Sequence, residues 1–123
     1  FEDAYLIHPV SRWGKTNERI LSPKKIYSCD LGIKHLFIGD RDWGSYFENY
    51  IYLRLRQHQR VHYVRQGEQE LDFLTEDKTL IEVKYNSELA SSQLNAFNEF
   101  PATRKQVIGT VRDTQIIDEL WET

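Results

Sequence analysis

Two short segments in the middle of the chain combine acids with apolar side chains in the period-two pattern of a strand. Residues 80–85 read LIEVKY, so Glu82 and Lys84 share one face of a strand and the apolar side chains take the other. Residues 71–73 read LDF, which places Asp72 on the face opposite to its two apolar neighbours. A short turn between these strands would set Asp72 and Glu82 side by side across a hairpin.

Two carboxylates that face each other across a hairpin repel, and a divalent cation removes that repulsion. Mg²⁺ prefers oxygen ligands and keeps several waters, so one or two carboxylates suffice to bind it. We therefore predict a site for Mg²⁺ or Mn²⁺ with Asp72 and Glu82 as the primary ligands. Lys84 beside them would position an attacking water or stabilise charge on a phosphate, which makes it a candidate catalytic residue.

Glu48 supplies a third carboxylate from the preceding helix. It lies at the edge of that helix's apolar stripe, three residues before Ile51, so we predict that it reaches the sheet and helps to hold the metal, directly or through a water. The pattern alone leaves another interpretation open. Glu82 and Lys84 would then be solvated on the wet face of an ordinary sheet, and Glu48 would be a surface acid of its helix.

Charge is unevenly distributed in a chain whose net charge is −3. Residues 49–67 contain four arginines and no acid, whereas residues 68–88 contain seven acids. Arg56 and Arg60 are spaced to share a helix face, where they would contact the phosphates of DNA; a solvated helix face is the alternative. His58 and His62 straddle the predicted helix end, which argues against a metal pair on one helical face.

The hydrophobic pattern predicts a mixed α/β fold with a central mixed sheet flanked by helices. In its centre the order is helix, three strands, helix, strand, at residues 42–59, 61–65, 70–75, 79–85, 88–100 and 105–110, with Ser87 as the cap of the second helix and the aromatic residues of the first helix in the core. Around this centre we predict strands at residues 4–12 and 25–28, a short helix at 30–37 and a terminal helix at 114–121.

Composition limits the class of protein. The 123 residues fit a single domain, and no apolar run is long enough for a membrane helix, so we expect no membrane partner. The lone Cys29 is typical of a reducing compartment, which favours the cytoplasm. The chain lacks a Walker A loop, zinc-ligand spacing and a Gly-rich dinucleotide turn. Because it contains no Met, we expect it to be a fragment of a longer protein.

Five segments in a fixed order resemble a known family, the C-terminal domain of uncharacterised bacterial and archaeal AAA+ type ATPases. They are residues 25–32, 42–49, 70–73, 81–85 and 92–101. That family in turn resembles the PD-(D/E)XK nuclease superfamily. Leu71 stands where the superfamily name places proline, a position that varies among such proteins.

The resemblance implies a restriction-endonuclease-like core and carries Asp72, Glu82 and Lys84 onto the D…ExK signature, with Glu48 as the helix acid. It implies one nuclease-like domain over residues 1–123, with residues 1–41 as an N-terminal extension, 42–110 as the core and 111–123 as a terminal helix. The function that follows is a Mg²⁺-dependent DNA nuclease attached to an ATPase domain that would bind ATP upstream. The alternative is a catalytically inactive module that keeps the fold and binds nucleic acid or protein.

Overall fold

Strands and helices follow one another largely as the hydrophobic pattern predicts. The computed structural model describes residues 7–30 and 43–122. Within them lie β1 (Ile7–Val10), α1 (Thr16–Leu21), β2 (Lys25–Ser28), α2 (Trp43–Leu55), β3 (Val61–Gln66), β4 (Gln69–Thr75), β5 (Thr79–Val83), α3 (Ser91–Glu99), β6 (Arg104–Ile108), a 3₁₀ turn (Val111–Asp113) and α4 (Thr114–Leu120). Residues 31–37 of the predicted short helix and the start of the strand predicted at 4–12 fall outside the described residues.

Four strands form the main sheet in the order β3-β4-β5-β6. The first three are joined by tight turns and run antiparallel, whereas β6 returns through α3 to lie parallel to β5. The predicted mixed α/β class with a mixed sheet is confirmed. No helix in the described part of the chain is both long enough and apolar enough to cross a membrane.

A second, two-stranded sheet pairs β1 with β2 in antiparallel register. The chain leaving β1 then runs beside β3, where Tyr63 N–H donates to Ser11 O and Trp13 N–H donates to Tyr63 O. The Tyr63 hydroxyl also donates to Pro23 O, ahead of β2. These bonds hold the small sheet against the open edge of the main sheet, so side chains of β2 come close to those of β4.

Apolar side chains cover both faces of the main sheet. On one face, α2, α4 and the small sheet enclose a core that includes Phe73, Ile81 and Ile108. On the other face, α3 packs through Ala96 and Phe97 against a smaller core. Because both faces are covered, all five residues of β5 are buried, the polar Thr79 and Glu82 among them.

Two helix boundaries differ from the predicted ones. The second central helix begins at Ser91, with Ala90 rather than Ser87 in the cap position. Asn86 has a φ of +50°, and its N–H donates to Gly109 O at 2.8 Å, so the chain turns there instead of starting a helix. The first central helix ends at Leu55 and continues only as turns.

Helix α1 is absent from the sequence prediction. It buries none of its residues, and Leu21 is 83% exposed, so no apolar periodicity marks it. Its first turn is held locally, because the Glu18 carboxylate accepts the N–H of Lys15 at 3.1 Å. The predicted core role of the α2 aromatics is correct for Phe47 but wrong for Trp43, which is 51% exposed.

The side chain of Asp77 connects the turn between β4 and β5 to strand β6 and to Trp121, the residue that follows α4. Its carboxylate accepts bonds from the hydroxyls of Thr75 and Thr79, from the guanidinium of Arg104 at 3.0 Å and from the indole N–H of Trp121 at 2.7 Å. Burial alone would raise the pKa of Asp77, but these hydrogen bonds and the charge of Arg104 together lower it below its ordinary value.

We expect Asp77→Ala to lower the free energy of unfolding by about 1–2 kcal/mol at pH 7, because it removes the acceptor of the buried Thr79 hydroxyl and leaves the Thr75 hydroxyl only its longer bond to Thr79 O, at 3.4 Å. Since the folded-state pKa of Asp77 is lowered, its contribution is full above the ordinary value of 3.8 and is lost as the pH falls further. Urea unfolding of the wild type and of Asp77→Ala at pH values from 7 to 3 measures the difference in their free energies of unfolding. Asp77→Asn, which retains one oxygen, should have a free energy of unfolding between those of the wild type and Asp77→Ala. Equal stabilities of the wild type and Asp77→Ala at pH 7 would contradict this role of Asp77.

Candidate functional site

Strands β4 and β5 diverge at Asp72 and Glu82. Beyond this point the two side-chain carboxylates, in place of main-chain carbonyls, accept main-chain N–H groups. Ladder pairing is regular at Phe73 opposite Ile81. One residue further, Asp72 N–H donates to Glu82 Oε1 at 3.0 Å, and Val83 N–H donates to Asp72 Oδ2 at 2.8 Å. Each acid therefore satisfies a main-chain donor of the facing strand, which fixes both carboxylates at the divergence.

A bulge in β4 aims the side chain of Asp72. The β3 residues His62 and Val64 are two apart, but their partners on β4 are three apart, so Asp72 and Phe73 together face Tyr63. The two apolar neighbours of Asp72 consequently belong to the cores on opposite faces of the sheet. This corrects the prediction of strict alternation around Asp72, because the extra residue breaks the period of two.

The prediction for β5 holds more closely. Ile81 and Val83 pack in the core on the α2 face and Tyr85 packs against it, as alternation requires. Glu82 points the other way and is only 2% exposed, so it is not a solvated surface acid. Its Oε2 accepts a bond from the side-chain amide of Gln93 on α3, and that amide also donates to Glu70 O at 2.8 Å.

Glu48 reaches the same region from α2. Its Oε2 accepts the hydroxyl of Tyr27 at 2.6 Å and lies 3.3 Å from the ammonium of Lys25. Burial, and then the charge of Glu48, raise the pKa of Tyr27 strongly, so the phenol stays neutral and donates. The neighbouring Asn49 ties α2 to the strand β2, since its side-chain amide exchanges two hydrogen bonds with the backbone of Ser28 at 2.8 and 2.9 Å.

Lys25 lies at the centre of the acids. Its ammonium is 3.3 Å from Glu48, 3.3 Å from Glu70 and 3.8 Å from Asp72. Burial alone would lower the pKa of Lys25, but the three carboxylates outweigh it and raise the pKa, so the ammonium is charged at neutral pH. It therefore compensates part of the negative charge that the fold buries here.

The four residues predicted for the site line one cavity of about 330 Å³ between α2 and α3. Glu48, Asp72 and Glu82 form its acidic part, and Gln93 borders it from α3. Lys84 lies at its exposed rim, just beyond the end of β5, and its ammonium forms no ion pair with any of the residues that the structure describes.

The charges around this cavity make the ionised form of Asp72 unfavourable. Burial first, and then the nearby carboxylates of Glu82 and Glu48, raise the pKa of Asp72 well above its ordinary value, against the opposing effect of Lys25. One buried ammonium thus compensates the cluster incompletely. A further cation in the cavity would lower the free energy of the ionised state.

The donors fit a hard divalent cation in type, since three carboxylates converge on one cavity. They do not form a ready-made cage, because no group of three or more His, Cys, Asp or Glu side chains among residues 7–30 and 43–122 has the arrangement of a metal site. Most of their oxygens already accept bonds from the chain itself. An entering ion would compete with Lys25 for the oxygens of Glu48 and Asp72.

The predicted contact residues Arg56 and Arg60 do not share a helix face, because α2 ends at Leu55. They do line one cavity, which is distinct from the carboxylate site. His58 and His62 bind different acids: His58 Nε2 lies 3.0 Å from Asp118 Oδ1, and His62 Nε2 lies 3.0 Å from a Glu76 oxygen.

Sequence reasoning missed Lys25, Glu70, Tyr27 and Gln93 as parts of the site. A local signal exists for two of them, because Lys25 and Tyr27 are two apart on a strand and share a face. That alternation does not say that β2 lies against β4, so their contact with Asp72 and Glu48 depends on the tertiary fold. Gln93 has no comparable signal.

The sequence of the chain matches one described family. The family "Domain of unknown function (DUF4143)" matches residues 43–121, well over half of the chain, and the chain therefore belongs to it. Domains of this family are found at the C-terminus of AAA-type ATPases. No curated protein and no solved structure matches the chain.

We expect Asp72→Asn to raise the melting temperature at pH 7 in EDTA. Because the folded-state pKa of Asp72 is raised, ionisation costs the wild type stability as the pH rises from 3.8 through that pKa, and the Asn variant escapes this cost while its Oδ1 can still accept from Val83. Melting curves from pH 3.5 to pH 8 should coincide at the acid end and diverge above it. Glu68→Gln, an exposed change in the β3–β4 turn, is the control and should follow the wild type. A less stable Asn variant at pH 7 would show that Asp72 is structural.

Proposed function

We propose that this member of the DUF4143 family is a metal-dependent phosphodiester hydrolase-like domain of the DNA nuclease type. The observation that carries the proposal is the cavity that Glu48, Asp72, Glu82 and Lys84 line together. Two of these carboxylates accept main-chain N–H groups at the point where β4 and β5 diverge, so the fold holds like charges close together in its interior, which is typical of functional sites.

Each residue has a separate role in this proposal. Asp72 and Glu82 would hold Mg²⁺ or Mn²⁺, with Glu48 as a third oxygen donor held in place by Tyr27. When bound, such an ion lowers the pKa of a water and neutralises charge on a phosphate. Lys84, with no carboxylate partner among the described residues, would place its ammonium against a phosphate oxygen or orient the attacking water.

Lys25 acts as the charge that holds the acids together in the metal-free protein. Its contacts with Glu48, Glu70 and Asp72 are long for charge-assisted hydrogen bonds, at 3.3 to 3.8 Å, so an ion of higher charge competes with it on favourable terms. After displacement, its ammonium would remain within reach of Glu70, which is the most exposed of the three acids.

Lys25 also supports a second candidate function. A cluster that already contains its own cation needs no metal, and the described residues include no preformed metal cage. In this alternative the domain is a non-catalytic module that keeps the fold and binds nucleic acid or protein. The two functions differ in whether divalent ions bind at the carboxylates.

Membership of the family supports the proposal that this domain is part of a larger ATPase. Since such domains are found at the C-terminus of AAA-type ATPases, we infer that an ATPase domain precedes this one in the parent protein and that ATP binds there. We also infer a cytoplasmic location, in line with a single cysteine, Cys29, that forms no disulfide.

The test combines metal binding with cleavage of labelled single-stranded and duplex DNA. For the wild type we expect Mn²⁺ or Mg²⁺ to raise the melting temperature and to support cleavage. Asp72→Asn should lose both responses, because it removes a ligand. Lys84→Ala should keep the metal-dependent shift and lose cleavage by about 100-fold or more, the range typical of a group that stabilises developing charge.

Lys24→Ala is the matched control, since it removes an exposed ammonium beside β2 without touching the cavity, and it should cleave like the wild type. No metal response and no cleavage in the wild type would favour the non-catalytic module. Cleavage that survives in both Asp72→Asn and Lys84→Ala would exclude this site as its origin.

A further inference from the structure

A second cavity, with arginines in its lining, is connected to the carboxylate site through the stacked rings of Tyr27 and Tyr52. Tyr27 donates to Glu48, its ring stacks on Tyr52 at 4.5 Å, and the Tyr52 hydroxyl contacts His8, which lines the second cavity. This cavity has a volume of about 620 Å³. That volume lies within the range of about 300–1,000 Å³ that is usual for ligand sites.

Positive and polar side chains line this cavity. Arg19 comes from α1, and Arg56 and Arg60 come from the connection between α2 and β3, so two separate segments bring three arginines to one cavity. His8, His58 and His62 add imidazoles, and no acidic side chain of the described residues lines the wall. The lining residues His58 and His62 each contact an acid, Asp118 and Glu76 respectively, and Asp118 also binds Arg54.

The three arginines have no carboxylate partner among the residues that the structure describes. Within residues 7–30 and 43–122, Arg19, Arg56 and Arg60 form no ion pair, although the chain as a whole carries more acids than bases. Cations gathered without carboxylates repel one another, and the cavity between them is favourable for an anion. Guanidinium groups match the geometry of phosphate oxygens particularly well.

We propose that this cavity binds phosphate groups of a nucleic-acid strand. Arg19, Arg56 and Arg60 supply the contacts, and the polar wall accommodates the attached sugars. Glu48 and Arg56 are eight residues apart along α2 and its last turn, which is about 12 Å at the helical rise per residue. A strand of DNA spans that distance in roughly three or four nucleotides. The phosphate contacts themselves do not depend on the proposed hydrolysis.

Local stabilisation of helices accounts for only part of this arrangement. Arg19 is in the last turn of α1 and Arg56 follows the last turn of α2, where cations stabilise a helix through its dipole. Arg60 lies outside any helix, and a dipole gives no reason for the three side chains to meet at one cavity. A role in helix stability alone would change melting temperatures but would leave DNA affinity unaffected.

The experiment is fluorescence anisotropy with labelled 20-nucleotide single-stranded DNA and its duplex, in EDTA so that the carboxylate site plays no part. We expect Arg56→Gln/Arg60→Gln to weaken binding at least tenfold. The slope of log affinity against log salt should fall by about 1.4–1.8, the value for two lost phosphate contacts. Comparison of the two probes shows which form of DNA the cavity prefers.

Arg65→Gln/Arg112→Gln is the matched control, because it removes the same charge from two exposed arginines that do not line the cavity. It should change affinity by less than threefold. If the double variant of the cavity melts early, Arg19→Gln, an exposed change on α1, should weaken binding in the same direction. Wild-type protein that binds neither probe at 50 mM salt, or equal losses in the cavity and control variants, would overturn the proposal.

Discussion

The site depends on the burial of like charges at the point where two paired strands separate. Asp72 and Glu82 each accept a main-chain N–H from the facing strand, so they stabilise the divergence while bringing their own charges together. The fold offsets this repulsion with the ammonium of Lys25, which β2 carries to the cluster. Because Asp72 retains a raised pKa, that offset is incomplete.

Much of the surrounding architecture positions these few groups. The small sheet is held to the edge of β3 by hydrogen bonds of Tyr63, and this places Lys25 and Tyr27 over β4. Asn49 fastens α2 to β2, which sets the neighbouring Glu48 beside Lys25. The α3 helix closes the other side through the amide of Gln93. The cavity is thus supported from three directions by bonds to rigid elements, which is what precise positioning of a reactive group requires.

Sequence reasoning predicted the parts that depend on local pattern. Alternation in β5 correctly placed Ile81 and Val83 on one face and Glu82 on the other, and the turns correctly predicted the antiparallel order of β3 to β5. It could not predict the bulge at Asp72, since an extra residue in one strand leaves no mark in the period. Lys25 was missed because its partners are distant in the chain, and α1 was missed because it buries no apolar face.

The most direct test of the account is a crystal structure of the protein grown with Mn²⁺, with data collected for anomalous scattering. We expect an anomalous peak within bonding distance of Asp72 and Glu82, and an ammonium of Lys25 that has moved away from Asp72 and Glu48. A map without a peak at these carboxylates at millimolar Mn²⁺, with Lys25 still in contact with Glu48 and Glu70, would contradict it. Lys25 would then be the permanent cation of the cluster.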